Sequence, residues 1–297
     1  MVPAATSRHE RTHAGARLRA TGSSERGVRV SVDPVPGLPA GSFLAPDWSA
    51  PQGVRALFTL REGGVSRGPW GGAASGQGGF NLGAACGDEP AAVADNRARL
   101  ARAVPSAPRW LHQVHGVAVH EVLTPGRAGA TSPIADAAVT DLPGEVCAVL
   151  VADCLPVLLA DARGRAVGAA HAGWRGLAGG VIEACAARLR ALLGESDAPL
   201  VAWLGPCIGP GAFEVGPEVL AAMRARLPEA EAAFVPRASG KYLADLPMLA
   251  RQALASCGVD DVWGGTACTF SDAGRYYSYR RDGPTGRHAA LIWIEPR

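Results

Sequence analysis

One cysteine and two histidines carry the strongest chemical signal in this chain: His115 in H-Q-V-H-G, Cys154 in A-D-C-L-P and His171 in A-H-A-G-W-R-G. Imidazole nitrogen and thiolate sulfur together suit zinc. Three protein ligands leave the fourth tetrahedral position open for water or substrate, which separates a catalytic site from a closed structural one. Taken singly, each residue has a plainer reading. A lone Cys is usually a small buried hydrophobe, and a lone His is a hydrogen-bonded core or surface group. His112 competes for the ligand role three residues before His115, and His120 competes less strongly.

For Cys154 and His171 to meet, the chain must fold back between them. It turns at Ala162-Arg163-Gly164-Arg165. With Arg163 and Gly164 as the central pair of a two-residue hairpin, His171 falls opposite Pro156. Cys154 then lies on the same face, displaced diagonally by two residues, at a Cβ separation of roughly 7–8 Å or less. A slip of one residue would send the two to opposite faces. His115 has to arrive from another segment.

Length and composition frame the site. The chain has 297 residues, of which 48% are hydrophobic, ample for one sheet-based core. A formal charge of +2 is too small for a broad nucleic-acid or membrane surface. The excess is local as well: residues 1–42 hold six arginines against Glu10, Glu25 and Asp33. That stretch reads as a disordered extension preceding a single catalytic domain over 43–297. Its Arg- and Ser-containing, acid-poor composition also suits a transit peptide. The cysteines number seven, without close pairs, and neither a long apolar run nor a signal-peptide segment is present. A reduced, cytoplasmic setting is the expectation. Cys185 joins Leu177, Val181, Leu189 and Leu192 in a helical stripe, and Cys86, Cys147 and Cys257 read as packing residues.

The elements that must position the site alternate along the chain. Strands are expected at 54–60, 117–123, 165–170, 200–204 and 288–294. A further buried strand spans 146–159, interrupted at Asp153-Cys154. Helices are expected from Asp88, as cap, to about Val104, then at 176–193, 217–227 and 246–257. This is an α/β or mixed α+β pattern. The Gly-rich run 68–79 should be a mobile surface loop and lacks the spacing of a phosphate-binding loop, which excludes a dinucleotide or nucleotide-triphosphate site.

Eleven ordered segments carry a family resemblance. They are F-T-L-R-E-G-G-V-S (58–66), F-N-L-G (80–83), G-D-E-P…N-R (87–97), W-L-H-Q-V-H-G (110–116), A-D-A-A-V-T (135–140) and A-D-C-L-P-V-L-L-A-D (152–161). They continue as H-A-G-W-R-G (171–176), L-G-P-C-I-G-P (204–210), F-E-V-G (213–216), C-T (268–269) and S-Y-R-R-D-G-P-T-G-R (278–287). Over residues 44–297 the chain resembles the laccase-domain or polyphenol-oxidase-like family, whose members are described as zinc-containing purine nucleoside phosphorylases. The resemblance implies His115, Cys154 and His171 as metal ligands and a β-sandwich core of mixed sheets flanked by helices. It also implies phosphorolysis of adenosine, inosine and methylthioadenosine, with deamination of adenosine. The sequence departs from the family at Leu60 and in a longer loop before Asn81.

Phosphorolysis breaks the bond between C1′ and the base nitrogen, so the site must hold phosphate and stabilise the departing base. Arginine offers a fixed, always charged fork of donors, and Arg61, Arg175, Arg280 and Arg281 lie in matching segments. Asn81 and Gln113 are candidates for ribose or base, and Cys207 for lining the pocket. Deamination needs a proton carrier beside activated water. Asp153 is read either in that role or as a partner orienting a histidine. The competing readings are a copper-dependent phenol oxidase, since His₂Cys is also a blue-copper set, and a Cys–His hydrolase editing peptidoglycan precursors. A metal-storing scaffold is the non-enzymatic alternative. The expected partners are purine nucleosides and phosphate, with no nucleic acid or membrane; no pattern specifies an oligomeric state.

Overall fold

The computed structural model describes residues 38, 39, 41–74, 76–125 and 132–296, so residues 1–37 of the expected extension lie outside the described part. The strands in chain order are β1 (Phe43–Leu44), β2 (Val54–Thr59), β3 (Glu62–Ser66), β4 (Val119–Glu121), β5 (Ala137–Thr140), β6 (Val146–Val151) and β7 (Leu155–Asp161). They continue with β8 (Val167–Ala172), β9 (Leu200–Leu204), β10 (Glu214–Val215), β11 (Phe234–Pro236), β12 (Tyr242–Ala244), β13 (Asp261–Gly264) and β14 (His288–Ile294). The helices are α1 (Pro90–Leu100), α2 (Trp174–Gly179), α3 (Val181–Leu193), α4 (Pro217–Arg224), α5 (Leu246–Ser256) and α6 (Tyr279–Asp282). None is long and apolar enough to cross a membrane.

Two sheets form the body, in the order β1-β2-β14-β6 and β13-β9-β7-β8-β5-β4, with a small third sheet β10-β12-β11. Their facing side chains make one core: Phe58, Val149 and Ile292 from the four-stranded sheet meet Leu158, Val167 and Trp203 from the six-stranded one. Alternate residues of β7 point the other way. Leu155, Val157 and Leu159 pack with Ile182, Cys185 and Leu189 of α3 and with α5. β7 is apolar throughout for this reason, being buried on both faces. The outer face of the four-stranded sheet buries Leu57, Ala148 and Leu291 with Leu100 of α1. The protein is therefore a mixed α+β domain of four layers, a β-sandwich with helical covers on both sides, and not a barrel.

The expected pairing of β7 with β8 is observed, His171 opposite Pro156. The connection differs in type. Asp161 N–H donates to Ala166 C=O, so four residues intervene, and the Asp161 carboxylate gathers the N–H groups of Arg163 and Arg165 with the Arg165 guanidinium. The interruption at 152–154 is a change of sheet: β6 ends in the smaller sheet and β7 begins in the larger.

Other elements depart from expectation for local reasons. The helix expected over 176–193 begins at Trp174 and breaks at Gly180, whose φ of +97° is left-handed backbone that closes α2 and opens α3. Asp88 is not the cap of α1. Glu89 occupies that position, while Asp88 accepts from Ser66 Oγ at 2.6 Å and Asn81 Nδ2 at 2.8 Å. β8 is shifted two residues later than expected and ends at Ala172, which places His171 inside the strand rather than past its end.

Among the described residues, both ends of the Gly-rich segment, expected as a mobile loop, are tied down. Trp70 Nε1 donates to Cys86 C=O, Tyr277 Oη to Trp70 C=O, and Gly79 is bridged to Glu62 and Ser66. Gly64 is required there because a Cβ would strike Gly79 C=O and the Asn96 side chain. Asn96, fully buried on α1, knits the segment: its amide donates to Ser66, Gly79 and Asn81 and accepts from Val65 N–H. Replacing Asn96 by Leu, of similar volume, leaves those buried groups unpaired. The expected cost is about 2–4 kcal/mol of unfolding free energy, read from the midpoint shift in chemical denaturation. A shift below about 0.5 kcal/mol would be the surface-substitution result and would contradict this account.

Candidate metal centre and its cavity

His115, Cys154 and His171 meet. Their donor atoms lie within 4.8 Å of one another, and among the described residues this is the group that could hold a metal ion. Cys154 Sγ is 3.8 Å from His115 Nε2, and the two imidazoles cross edge-on at 4.8 Å between centroids. Each ligand arrives by a different device. His171 stands on β8. Cys154 follows the corner at Asp153, whose φ of +85° is left-handed backbone for a non-glycine residue. His115 itself has a φ of +60° on the loop before β4. Gly173 makes room, since a Cβ there would lie 2.8 Å from the His115 ring and 2.9 Å from Cys154 Sγ. His112 is exposed on the cavity wall and His120 sits on β4; neither joins the group.

Asp136, which precedes β5, holds two of the ligands at once. Its Oδ1 accepts from His171 Nδ1 at 2.8 Å and from His115 N–H at 2.9 Å; its Oδ2 accepts from Val114 N–H at 3.1 Å and Gly116 N–H at 2.7 Å. Burial alone would raise this carboxyl, but His171 and the N–H groups of Gly116 and Val114 hold it below the usual carboxylate range. With Nδ1 engaged, His171 presents Nε2 to the metal position, and a hydrogen-bonded carboxylate behind a ligand imidazole fixes tautomer and ring orientation. Sequence reading assigned no role to Asp136. The available signal was its place in A-D-A-A-V-T, a matching segment with a buried-strand pattern and one acid.

Asp153 does not orient a histidine. Its Oδ1 accepts from Thr269 Oγ1 at 2.6 Å and its Oδ2 from Arg280 N–H at 2.7 Å, so it anchors the corner that delivers Cys154.

A cavity of about 580 Å³ opens beside the ligands, within the usual range for small-molecule sites. Gln113 lines it, but its amide clamps Leu150, donating to the C=O at 2.9 Å and accepting from the N–H at 2.7 Å. Asn81 is fully buried between Asp88, Gly83 and Arg287 N–H. The arginines singled out from sequence lie outside the lining. Arg61 binds the carbonyls of Gly71 and Ala273, Arg175 stacks on Trp174, and Arg280 reaches Glu214 C=O. Arg281 spans the carbonyls of Thr269, Phe270 and Tyr276. Cys207 is buried outside the lining as well.

The cavity has two other arginines. Arg97 lies 4.3 Å over the Trp110 ring and donates through Nε and Nη2 to Leu82 C=O. Arg287 donates through Nη1 to the carbonyls of Thr285 and Gly286 and lies 5.8 Å from the Tyr279 ring centroid. Neither forms an ion pair with a described carboxylate. Burial lowers the Arg97 guanidinium from its ordinary value, the expected sign for a desolvated cation without a counter-charge. Among the described residues no Asp or Glu lines the cavity. The lining thus combines thiolate and imidazole donors with two guanidiniums that have no described carboxylate partner.

A family described as "Multi-copper polyphenol oxidoreductase laccase" matches residues 55–295. Among curated relatives, the purine nucleoside phosphorylase PA4543 of Pseudomonas aeruginosa is 49% identical over 86% of this chain and 99% of its own. The purine nucleoside phosphorylase YfiH of Escherichia coli is 46% identical over 85% of this chain and 98% of its own. Of solved structures, Neisseria meningitidis protein NMB0706, of family DUF152, superposes with a TM-score of 0.78 at 45% identity, covering 86% of this chain and 100% of that one. YlmD from Geobacillus stearothermophilus gives 0.78 at 29% identity, covering 87% and 98%.

Two measurements test the geometry. Burial raises the Cys154 thiol, but His171 and His115 outweigh it and bring it down to about 6. Burial lowers His171, while Cys154 and Asp136 outweigh that and raise it to about 9. In chelator-treated protein the thiolate is therefore present above about 6 and the imidazolium below about 9. Alkylation of Cys154, followed by peptide mass, should rise with pH to a midpoint near 6 and be suppressed by added zinc. A midpoint near 8.5, that of an ordinary thiol, would deny the imidazoles this effect. Asp136→Asn turns one acceptor into a donor facing backbone N–H groups; metal affinity in chelator competition should fall about 10–100-fold. Unchanged affinity would remove Asp136 from its holding role.

Proposed function

The chain belongs to the family described as multi-copper polyphenol oxidoreductase laccase, and from that membership and the site geometry we propose that it is a zinc-dependent purine nucleoside phosphorylase. The names of the relatives support this reading. The observation that carries it is the pairing, in one cavity, of a His₂Cys donor set with two arginines that have no carboxylate partner among the described residues. The donor set fits a single soft-to-borderline divalent cation with one position open. When bound, that ion supplies Lewis-acid polarisation of a substrate atom or of water near neutral pH.

The protein's own groups do the rest. Arg97 and Arg287 take phosphate, their guanidiniums held in place by main-chain carbonyls and aromatic faces so that ordering costs little on binding. Phosphate is already an anionic nucleophile at neutral pH, so attack on C1′ needs no carboxylate base, and among the described residues none lines the cavity. Trp110 and Tyr279 offer aromatic faces on the same wall. Adenosine, inosine and methylthioadenosine are the proposed nucleosides. Deamination of adenosine is a second activity of the same site, for which the proton-transfer groups on the wall are His112, Cys86 and Tyr279. A multicopper phenol oxidase is disfavoured, because a single three-ligand group is found among the described residues.

Protein purified without added metal should carry about one zinc per chain, the stoichiometry of a three-ligand site. It should convert adenosine and phosphate to adenine and ribose 1-phosphate, lose that activity on chelation and regain it with zinc. Arg97→Met and Arg287→Met should each raise KM for phosphate about 10–100-fold, the loss of one charge-assisted contact, while KM for adenosine moves less. Metal-free protein with full turnover, or no phosphate-dependent product, would overturn the reading.

A further inference from the structure

Two cysteines outside the metal centre face each other across the ends of β9 and β13. Cys207 and Cys268 form an isolated parallel bridge, with Cys207 N–H donating to Ala267 C=O and Thr269 N–H to Cys207 C=O. In such a pair the two side chains stand on the same face. Paired strands run about 4.8 Å apart, inside the Cα separation a disulfide requires.

The two thiols differ in a complementary way. Cys207 is buried, 1% exposed, and its S–H points to Ile208 C=O. Cys268 is half-exposed and sits in a cluster of donors: Gly209 N–H reaches its sulfur at 3.2 Å and Ser271 Oγ at 3.3 Å. Gly209 permits this approach, because a Cβ there would lie 3.1 Å from both Cβ and Sγ of Cys268. Burial raises the Cys268 thiol, but the Ser271 hydroxyl and the N–H groups of Gly209, Ser271 and Phe270 outweigh it and hold the thiol below its ordinary value. Burial, then Cys268, push Cys207 well above. The other cysteines lack this combination. Cys147 and Cys185 are buried with raised thiols, Cys257 donates to Leu254 C=O, and Cys154 belongs to the metal site. Cys86, half-exposed in the cavity, donates to Gly83 C=O at 3.1 Å and has no cysteine opposite.

We propose that Cys268 is an oxidation site for hydroperoxides and that Cys207 resolves it to a Cys207–Cys268 disulfide. The Cys268 sulfur attacks the distal peroxide oxygen; an S–O bond forms, the O–O bond breaks, and the leaving alkoxide takes a proton to become the alcohol, or water for hydrogen peroxide. The Cys207 sulfur then attacks Cys268. The S–S bond forms, the S–O bond breaks, and hydroxide leaves with the Cys207 proton as water. Two thiols lose two electrons and two protons in all, and the hydroperoxide is reduced by the same two electrons. Two of the residues that grip Asp153, Ile208 through its N–H and Thr269 through its hydroxyl, each neighbour one cysteine of the pair.

The test treats the zinc-loaded, full-length protein with hydrogen peroxide and maps its peptides by mass spectrometry. The expected product is a Cys207–Cys268 cross-linked peptide, lighter by two hydrogens and reversed by dithiothreitol. Cys268 should react about tenfold faster than Cys86. Cys207→Ala should leave a sulfenic acid on Cys268 that dimedone traps, and Cys268→Ser should abolish the cross-link. Should Cys207→Ala fail to fold, dimedone present during oxidation of the unaltered protein should label Cys268 and reduce the cross-link. Absence of the cross-link, or oxidation of Cys86 while Cys268 stays a thiol, would overturn the proposal. Phosphorolysis plays no part in this readout, so its failure and that of the functional reading are distinguishable.

Discussion

The carboxylate of Asp136 is the interaction on which the rest of the site depends. It is fully buried, and a buried carboxylate is tolerated only when its charge is answered by donors. Four donors answer it: three consecutive backbone N–H groups, from Val114, His115 and Gly116, and the His171 ring. The same main chain adds His171 N–H to Asp136 C=O at 2.7 Å. One side chain therefore turns the His115 loop into its left-handed conformation and fixes the tautomer of His171. The strain at His115 is held by these contacts, as expected for a backbone outlier at a functional position.

The second constraint is topological. β6 and β7 follow one another in sequence but belong to opposite sheets of the sandwich, and the three residues between them must make the crossing. Asp153 takes the corner at positive φ, and its carboxylate ties that corner to Thr269 and to the start of α6. Cys154 is thus placed at the seam between the two sheets, beside a strand end rather than on a free loop. A ligand fixed by sheet register on one side and by a buried carboxylate on the other is preorganised, and a metal site benefits because its donors need not be ordered on binding.

The cavity lining brings two kinds of group together. The lining holds imidazole and thiolate groups, whereas Arg97 and Arg287 contribute cations, and among the described residues no lining carboxylate offsets them. The sequence chemistry favoured activated water, because the ligand set was the visible part. The assembled cavity adds two guanidiniums, and a desolvated guanidinium without a counter-charge is costly; the proposed phosphate would relieve that cost.

What the sequence by itself determined is the set of local relations. The ligand types, the apolar pattern of β7, the register that puts His171 opposite Pro156, and most helices follow from residue type and short spacing. The sandwich and the choice of His115 over His112 rested on family resemblance; the structure has the sandwich, and it brings His115 rather than His112 beside Cys154 and His171. Tertiary structure decided everything that depends on which distant segments become neighbours. Arg61, Arg175 and Arg280 were plausible phosphate contacts because they share motifs with functional residues, yet they bond main chain or a neighbouring ring outside the cavity. Arg97 and Arg287, in equally visible motifs, reach it. Asn81 is polar and lies in a matching segment but is spent inside the fold. Asp136, to which the sequence assigned no role, takes the one read for Asp153: the acid beside a ligand in sequence anchors a corner, and the acid 35 residues from His171 orients its ring. Sequence proximity fixes what a residue can do along its own strand. Hydrogen-bond partners across a sheet are set by packing, which only the folded chain specifies.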